Sequence, residues 1–163
     1  SDFYSKNNHE ELSQYYRDSY TIIRKYSKTA VVVFNELYAN YYSWWDNEMK
    51  EPQYYNVIMD WHLYDWQLPH TMESAPQHIQ DAVNWEPMID KYLVQYPIMV
   101  GEWCFSTGTF VQAGQAFVDA AVKSFENTAA FYAWNWKVER GIGFDEWDVQ
   151  YQASLKDGLK VSN

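Results

Sequence analysis

From Asn8 onward the polar and apolar positions follow a helical period. Leu12, Tyr15, Tyr16, Ser19, Ile23 and Tyr26 share a face, Asn8 can cap the segment, and Glu11 stands three residues on in the capping-box position. The pattern then changes. "TAVVVFNELY" (29–38) is β-branched, too short and too uniformly apolar for an amphipathic helix, and it predicts a strand buried on both faces. "NVIMDWHLY" (56–64) predicts a second strand. "SAPQHIQDAV" (74–83) opens a helix on a Ser74/Gln77 box, and "EPMIDKYLVQ" (86–95) gives another helical segment. "YPIMVGEW" (96–103) is a third strand. "FVQAGQAFVDAAVKSFEN" (110–127) is a helix with Ala113, Phe117, Ala120, Ala121 and Phe125 on one face, and "AAFYAWNWK" (129–137) is a fourth strand. Strands alternating with helices mean parallel pairing and an α/β fold.

At 163 residues the chain is expected to form one domain with a substantial core, and no stretch reads as a linker or as low complexity. An independent flavodoxin-like binding domain is disfavoured because none of the six glycines forms a phosphate-cradling GxGxxG or GxxxxGK. Polar and aromatic residues instead gather where the strands end: Asn35 and Glu36, His62 and Tyr64, Glu102 and Trp103, Trp134 and Trp136. In a (β/α)8 TIM barrel that rim carries the active site, but such a barrel takes about 250 residues. Residues 1–163 therefore read as half a barrel.

Composition and local pattern sharpen this picture in five places. Twelve Lys and Arg against 22 Asp and Glu leave a net charge of −10, which argues against a nucleic-acid partner. Nine Trp, 15 Tyr and 8 Phe make up 20% of the chain, more than such a core needs, so some rings belong on accessible surface, where they suit sugar rings. No run approaches the roughly 20 apolar residues of a membrane-spanning helix. A single Cys104 rules out an intrachain disulfide and a cysteine-built zinc site, and is best read as a small buried hydrophobe. Ser1 opens without a charged or apolar leader pattern.

The chemistry concentrates in "PIMVGEWCFSTGT", where Glu102 ends an apolar run between Gly101 and Trp103. A carboxylate carried to the end of a buried strand is either paired for structure or placed for chemistry. Gly101-Glu102-Trp103, His62-x-Tyr64 and Trp134-x-Trp136-Lys137, with the Tyr-rich helix upstream and "EWDVQYQ" and "DGLKV" downstream, resemble glycoside hydrolase family 5, and within it the exo-β-1,3-glucanase-like branch. The resemblance covers nearly the whole chain and implies strands five to eight of the barrel. It implies Glu102 as the nucleophile of a retaining glycosidase acting on a β-glucan, with His62 and Tyr64 flanking and orienting it. It also implies Trp134 as a platform under the sugar, and Trp44, Trp45 and Trp103 as extensions of an aromatic cleft. The resemblance places the acid/base carboxyl on strand four, upstream of the helix that opens this chain. Asn35-Glu36 also ends a strand in an Asn-Glu pair, but Leu37 replaces the family's proline, so Glu36 is given a subsite or hydrogen-bonding role.

The expected partners are therefore a β-glucan or oligosaccharide and an N-terminal half of the same barrel, the location extracellular or cell-wall, and no cofactor or metal is implied. A non-catalytic carbohydrate-binding or structural protein on the same fold is the alternative. The loop "FSTGT" (105–109) is expected to shape the site's rim. Trp136 alternates with Trp134 and is expected in the core. Glu139, Asp145, Glu146 and Asp148, like Glu48 and Glu51, are expected on solvated faces, and His9, His70 and His78 carry no role.

Overall fold

A computed structural model describes residues 6–36, 42–65, 73–104, 110–139, 147–154 and 160. Helix α1 (Lys6–Tyr26) leads into strand β1 (Val32–Asn35), a 3-10 turn (Tyr42–Trp45) and strand β2 (Val57–Leu63). Helix α2 (Ala75–Leu93), strand β3 (Ile98–Trp103), helix α3 (Phe110–Ser124), strand β4 (Ala130–Ala133) and helix α4 (Val149–Ser154) follow. The sheet is four-stranded, all parallel, in the order β1-β2-β3-β4.

That order is informative. A parallel crossover is right-handed, so a chain that adds each new strand on the same side puts every connecting helix on the same face of the sheet. The reversal of order that defines a doubly wound fold is absent from this sheet. Burial follows suit. Val57, Met59, Trp61 and Leu63 of β2 are buried and alternate with half-buried Ile58, Asp60 and His62. The buried set meets all three long helices: Phe34 packs on Tyr16 of α1, Trp61 on Tyr92 of α2, and Trp103 on Phe125 just past α3. Trp85 stacks on Phe125 at 5.7 Å, and Ser124 Oγ donates to Ala82 O at 2.7 Å, which seals α3 against α2. Each such large apolar side chain removed from water stabilises by about 1.5–3 kcal/mol.

The opposite face has no helix layer among the described residues. Val33 is 44% exposed while its neighbours Val32 and Phe34 are buried, so β1 is covered on one face and not on two as its composition predicts. The uniform apolar run has nothing in these residues to pack against on its second side.

Other expectations shift for local reasons. α1 starts at Lys6, so Asn8 lies inside the first turn and does not cap it. Its inward face runs through His9, Ser13, Tyr20 and Arg24, with Tyr15 and Tyr26 exposed. The two segments 74–83 and 86–95 are one helix that carries Pro87 within it. Ser74 makes no capping bond through its side chain. Its Oγ meets His78 Nε2 at 3.2 Å, and His78 Nδ1 meets Asp65, so a fully buried histidine ties the segment after β2 to the start of α2. Cys104 is buried, as expected for a small hydrophobe. Loop 105–109, His70, Asp145 and Glu146 lie outside the described residues.

Candidate active site

Successive residues of a strand point to opposite faces, so Asp60 and His62 of β2 share its uncovered face, and Tyr64 follows just past the strand end. β3 departs from this rule. Trp61 pairs with Val100 but His62 pairs with Glu102, so Gly101 is an extra residue with no partner opposite. This is a β-bulge, and it reverses the alternation beyond it. Ile98 and Val100 face the helices. Without the bulge Glu102 would follow them inward and Trp103 would turn outward. With it, Trp103 is 4% exposed against Phe125 and Glu102 turns to the uncovered face.

There the carboxylate meets the two residues that the resemblance places beside it. Tyr64 donates its hydroxyl to Glu102 Oε2 at 2.7 Å, and His62 Nδ1 lies 3.1 Å from the same oxygen. Both contacts fall on Oε2, and among the described residues neither engages Oε1. Tyr64 is itself braced by Trp147, whose ring stacks on it at 6.0 Å.

Sequence reasoning missed Asp60. Its Oδ1 accepts the Gly101 amide at 2.9 Å, and its Oδ2 lies 2.9 Å from His62 Nε2 and 3.4 Å from Asn35 Nδ2. The signal was present, since Asp60, His62 and Tyr64 fall at every second position, but the bulge that gives the aspartate its partner was not. Glycine at 101 leaves room for this contact: a Cβ there would lie 2.1 Å from Asp60 Oδ1 and the aspartate would have to shift. Next to this network, Tyr16 brackets Asn35 by donating to its carbonyl at 3.1 Å and accepting from its amide at 3.2 Å. Burial raises the ionisation of that phenol above the ordinary tyrosine value, against the opposing effect of the bond to Asn35.

The remaining predicted positions divide. Trp134 is 49% exposed, and its amide donates to Trp103 O at 2.7 Å, which sets its backbone beside the end of β3. Trp45 is fully buried among His9, Tyr16 and Phe34, and Trp103 is buried on the helix side, so neither lines the uncovered face. Their mass serves the core. Trp44 is half-buried, edge-on to His9. Glu36 is 1% exposed at the end of β1, where its amide donates to Asp60 O and its carbonyl accepts from Trp45 Nε1. Trp136 is 65% exposed and not in the core, because β4 stops at Ala133 and its alternation does not extend that far.

Two acidic residues expected in solvent are structural. Asp148 is buried, accepting from Val138 N and Tyr151 N, and so fastens α4 to the segment after β4. Glu48 accepts from Ser13 and Arg17 at 2.7 Å each and joins the 3-10 turn region to α1.

Among the described residues no group of His, Cys, Asp and Glu is arranged to hold a metal ion, and no helix is long and apolar enough to cross a membrane. A cavity of about 660 Å³ opens beside Tyr54, Asn56, Val57 and Gln95, at the N-terminal end of β2 and so at the far end of the strands from Glu102.

Comparison with known proteins bears on most of the chain. No family model matches it. The chain is similar to a glucan 1,3-beta-glucosidase of Schwanniomyces occidentalis, 22% identical over 179 aligned residues that take in 85% of this chain. It spans 41% of that relative's length. Over most of its length, then, this chain is similar to under half of a glucan glucosidase, and the similarity points to a glucanase-related, glycoside hydrolase-like protein.

Proposed function

We propose that this chain is the nucleophile-bearing part of a retaining β-glucan hydrolase of the glycoside hydrolase family 5 type, contributing strands five to eight of a (β/α)8 barrel. The observation that carries the reading is the convergence of Tyr64 and His62 on one oxygen of Glu102. The Tyr64 hydrogen bond holds Oε2, the His62 ring stands beside the same oxygen, and neither contact engages Oε1. That division suits a carboxylate whose one oxygen attacks while the other is held.

In the proposed reaction Glu102 Oε1 attacks the anomeric carbon as the glycosidic bond breaks, and a second carboxyl group protonates the departing oxygen. Water then cleaves the glycosyl-enzyme with that second group acting as base, and the pair must stand about 5–5.5 Å apart. The second carboxyl is assigned to a part of the protein outside this chain. Glu36 is not chosen, because it is buried beneath the end of β1. Two features among the described residues support a complementary half: the uncovered sheet face, and the edge strands β1 and β4, which pair with one neighbour each. Trp134, exposed at the rim, is proposed as the sugar platform.

The test is mechanism-based trapping in the full-length protein. A 2-deoxy-2-fluoro glucosyl donor should label the peptide that carries Glu102, and E102Q should keep β-1,3-glucan binding while turnover falls by several orders of magnitude. Labelling elsewhere, or turnover unchanged in E102Q, refutes the assignment. Glucan binding with no turnover in the wild type would mark a non-catalytic carbohydrate-binding protein.

A further inference from the structure

We propose that Asp60 is the positioning residue of this site, acting on Glu102 from both sides: through the Gly101 bulge with one oxygen and through His62 with the other. The inference rests on Glu102 as nucleophile and adds what aims it.

The geometry is specific. A bulge frees one backbone amide from the ladder, and a freed amide within a sheet must find another acceptor. The Gly101 amide finds Asp60 Oδ1 at 2.9 Å, so the carboxylate stands in for the missing strand carbonyl and stabilises the bulge. Since the bulge is what turns Glu102 outward, Asp60 sets which face the nucleophile occupies. Its other oxygen sets the histidine. A carboxylate has no proton to give, so the 2.9 Å contact between Asp60 Oδ2 and His62 Nε2 places a proton on Nε2 and fixes the ring plane. The opposite edge of that ring, Nδ1, then faces Glu102 Oε2 at 3.1 Å, a pairing that attracts only when Nδ1 carries a proton as well. His62 and Asp60 side chains are only 9% and 14% exposed, so water competes weakly for these bonds.

Only an acceptor-only group meets both demands. An asparagine at 60 can give its oxygen to the Gly101 amide, but then presents N–H to Nε2, which must give up its proton to accept. Gly101 is coupled to the same group: the nearest atoms to an added Cβ are Asp60 Oδ1, Cγ and Oδ2, at 2.1, 2.8 and 3.0 Å. An alanine there displaces the carboxylate.

The experiment combines kinetics on a β-1,3-glucan oligosaccharide with nitrogen-15 spectra of labelled histidine in the full-length protein. In the wild type His62 Nε2 should carry a proton. In D60N that nitrogen should lose it, with kcat down about 100-fold, as for a group displaced by about an ångström, and KM within about twofold, as for a loss confined to the transition state. G101A should reproduce the fall in kcat, and D60A/G101A should be no slower than D60A, because the clash partner is gone. An Nε2 without a proton in the wild type, a proton retained there in D60N, or a wild-type kcat in D60N overturns the proposal. The first reading needs no variant to fold. E102Q separates the two ideas: full turnover in E102Q removes the nucleophile assignment, while the nitrogen spectra still decide whether Asp60 governs His62.

Discussion

Arg24 offers a direct test of how this half-covered sheet is held in place. The residue is 7% exposed, near the end of α1, and its guanidinium donates to Ala30 O at 2.8 Å and Tyr55 O at 2.6 Å. It also lies over the rings of Tyr20 and Tyr55 at 4.4 and 4.5 Å. One side chain thus joins the helix to the chain segments that enter β1 and β2. Charge-assisted bonds of this kind contribute about 1.5–3 kcal/mol each, offset in part by the cost of burying the cation. Truncation in R24A removes both bonds and leaves a void, so a net loss of about 3–5 kcal/mol is expected in urea unfolding. R24K keeps the charge and can reach one carbonyl but loses the flat contact between rings, so about 2 kcal/mol should go. Because the short contacts are to carbonyls and not to anions, raising the salt concentration should change neither loss much. An R24A loss below about 1 kcal/mol would refute the reasoning, since it lies under the contribution of a single such bond.

The remaining expectations separate core from cleft and set a pH limit. W45A should cost about 3–5 kcal/mol of folding stability, as for any large buried aromatic; a stable W45A with weakened glucan affinity would return that ring to the cleft. W134A on an E102Q background should weaken oligosaccharide binding by about 1–3 kcal/mol in calorimetry, by analogy with ring stacking on bases, while its melting temperature holds; unchanged affinity would remove the platform role. Tyr96 donates to the carbonyls of Trp45 and Glu48, and burial, then the charges of Glu48 and Asp46, push its ionisation above the ordinary tyrosine value. A folded-state value raised above the unfolded one means stability that is complete below about pH 10 and lost as pH rises beyond it. Melting temperatures from about pH 8 to 11 should therefore fall at the alkaline end, and fall less in Y96F; parallel curves for the two proteins would contradict this.

Much of the fold was legible because it is written locally. Helical spacing, β-branched runs and their alternation gave the element types and the parallel α/β class, and His62, Tyr64 and Glu102 were visible as polar groups at strand ends. The errors have local causes too. Ser74 looks like a cap, but a histidine one turn later takes its hydroxyl. Trp45 looks like a cleft residue, but the 3-10 turn folds it into the core between α1 and β1. Asp148 looks like solvated surface, but it closes the start of α4.

What the sequence settled by itself is the period of each segment and the chemistry placed at its end, since both depend on near neighbours along the chain. Only the tertiary structure decided which face each side chain takes beyond position 100. One unpaired glycine on β3, stabilised by an aspartate 41 residues earlier, inverts the alternation and brings Glu102 out to Tyr64 while sending Trp103 in to Phe125. Strand register is a relation between two distant segments, so no pattern within either one can specify it.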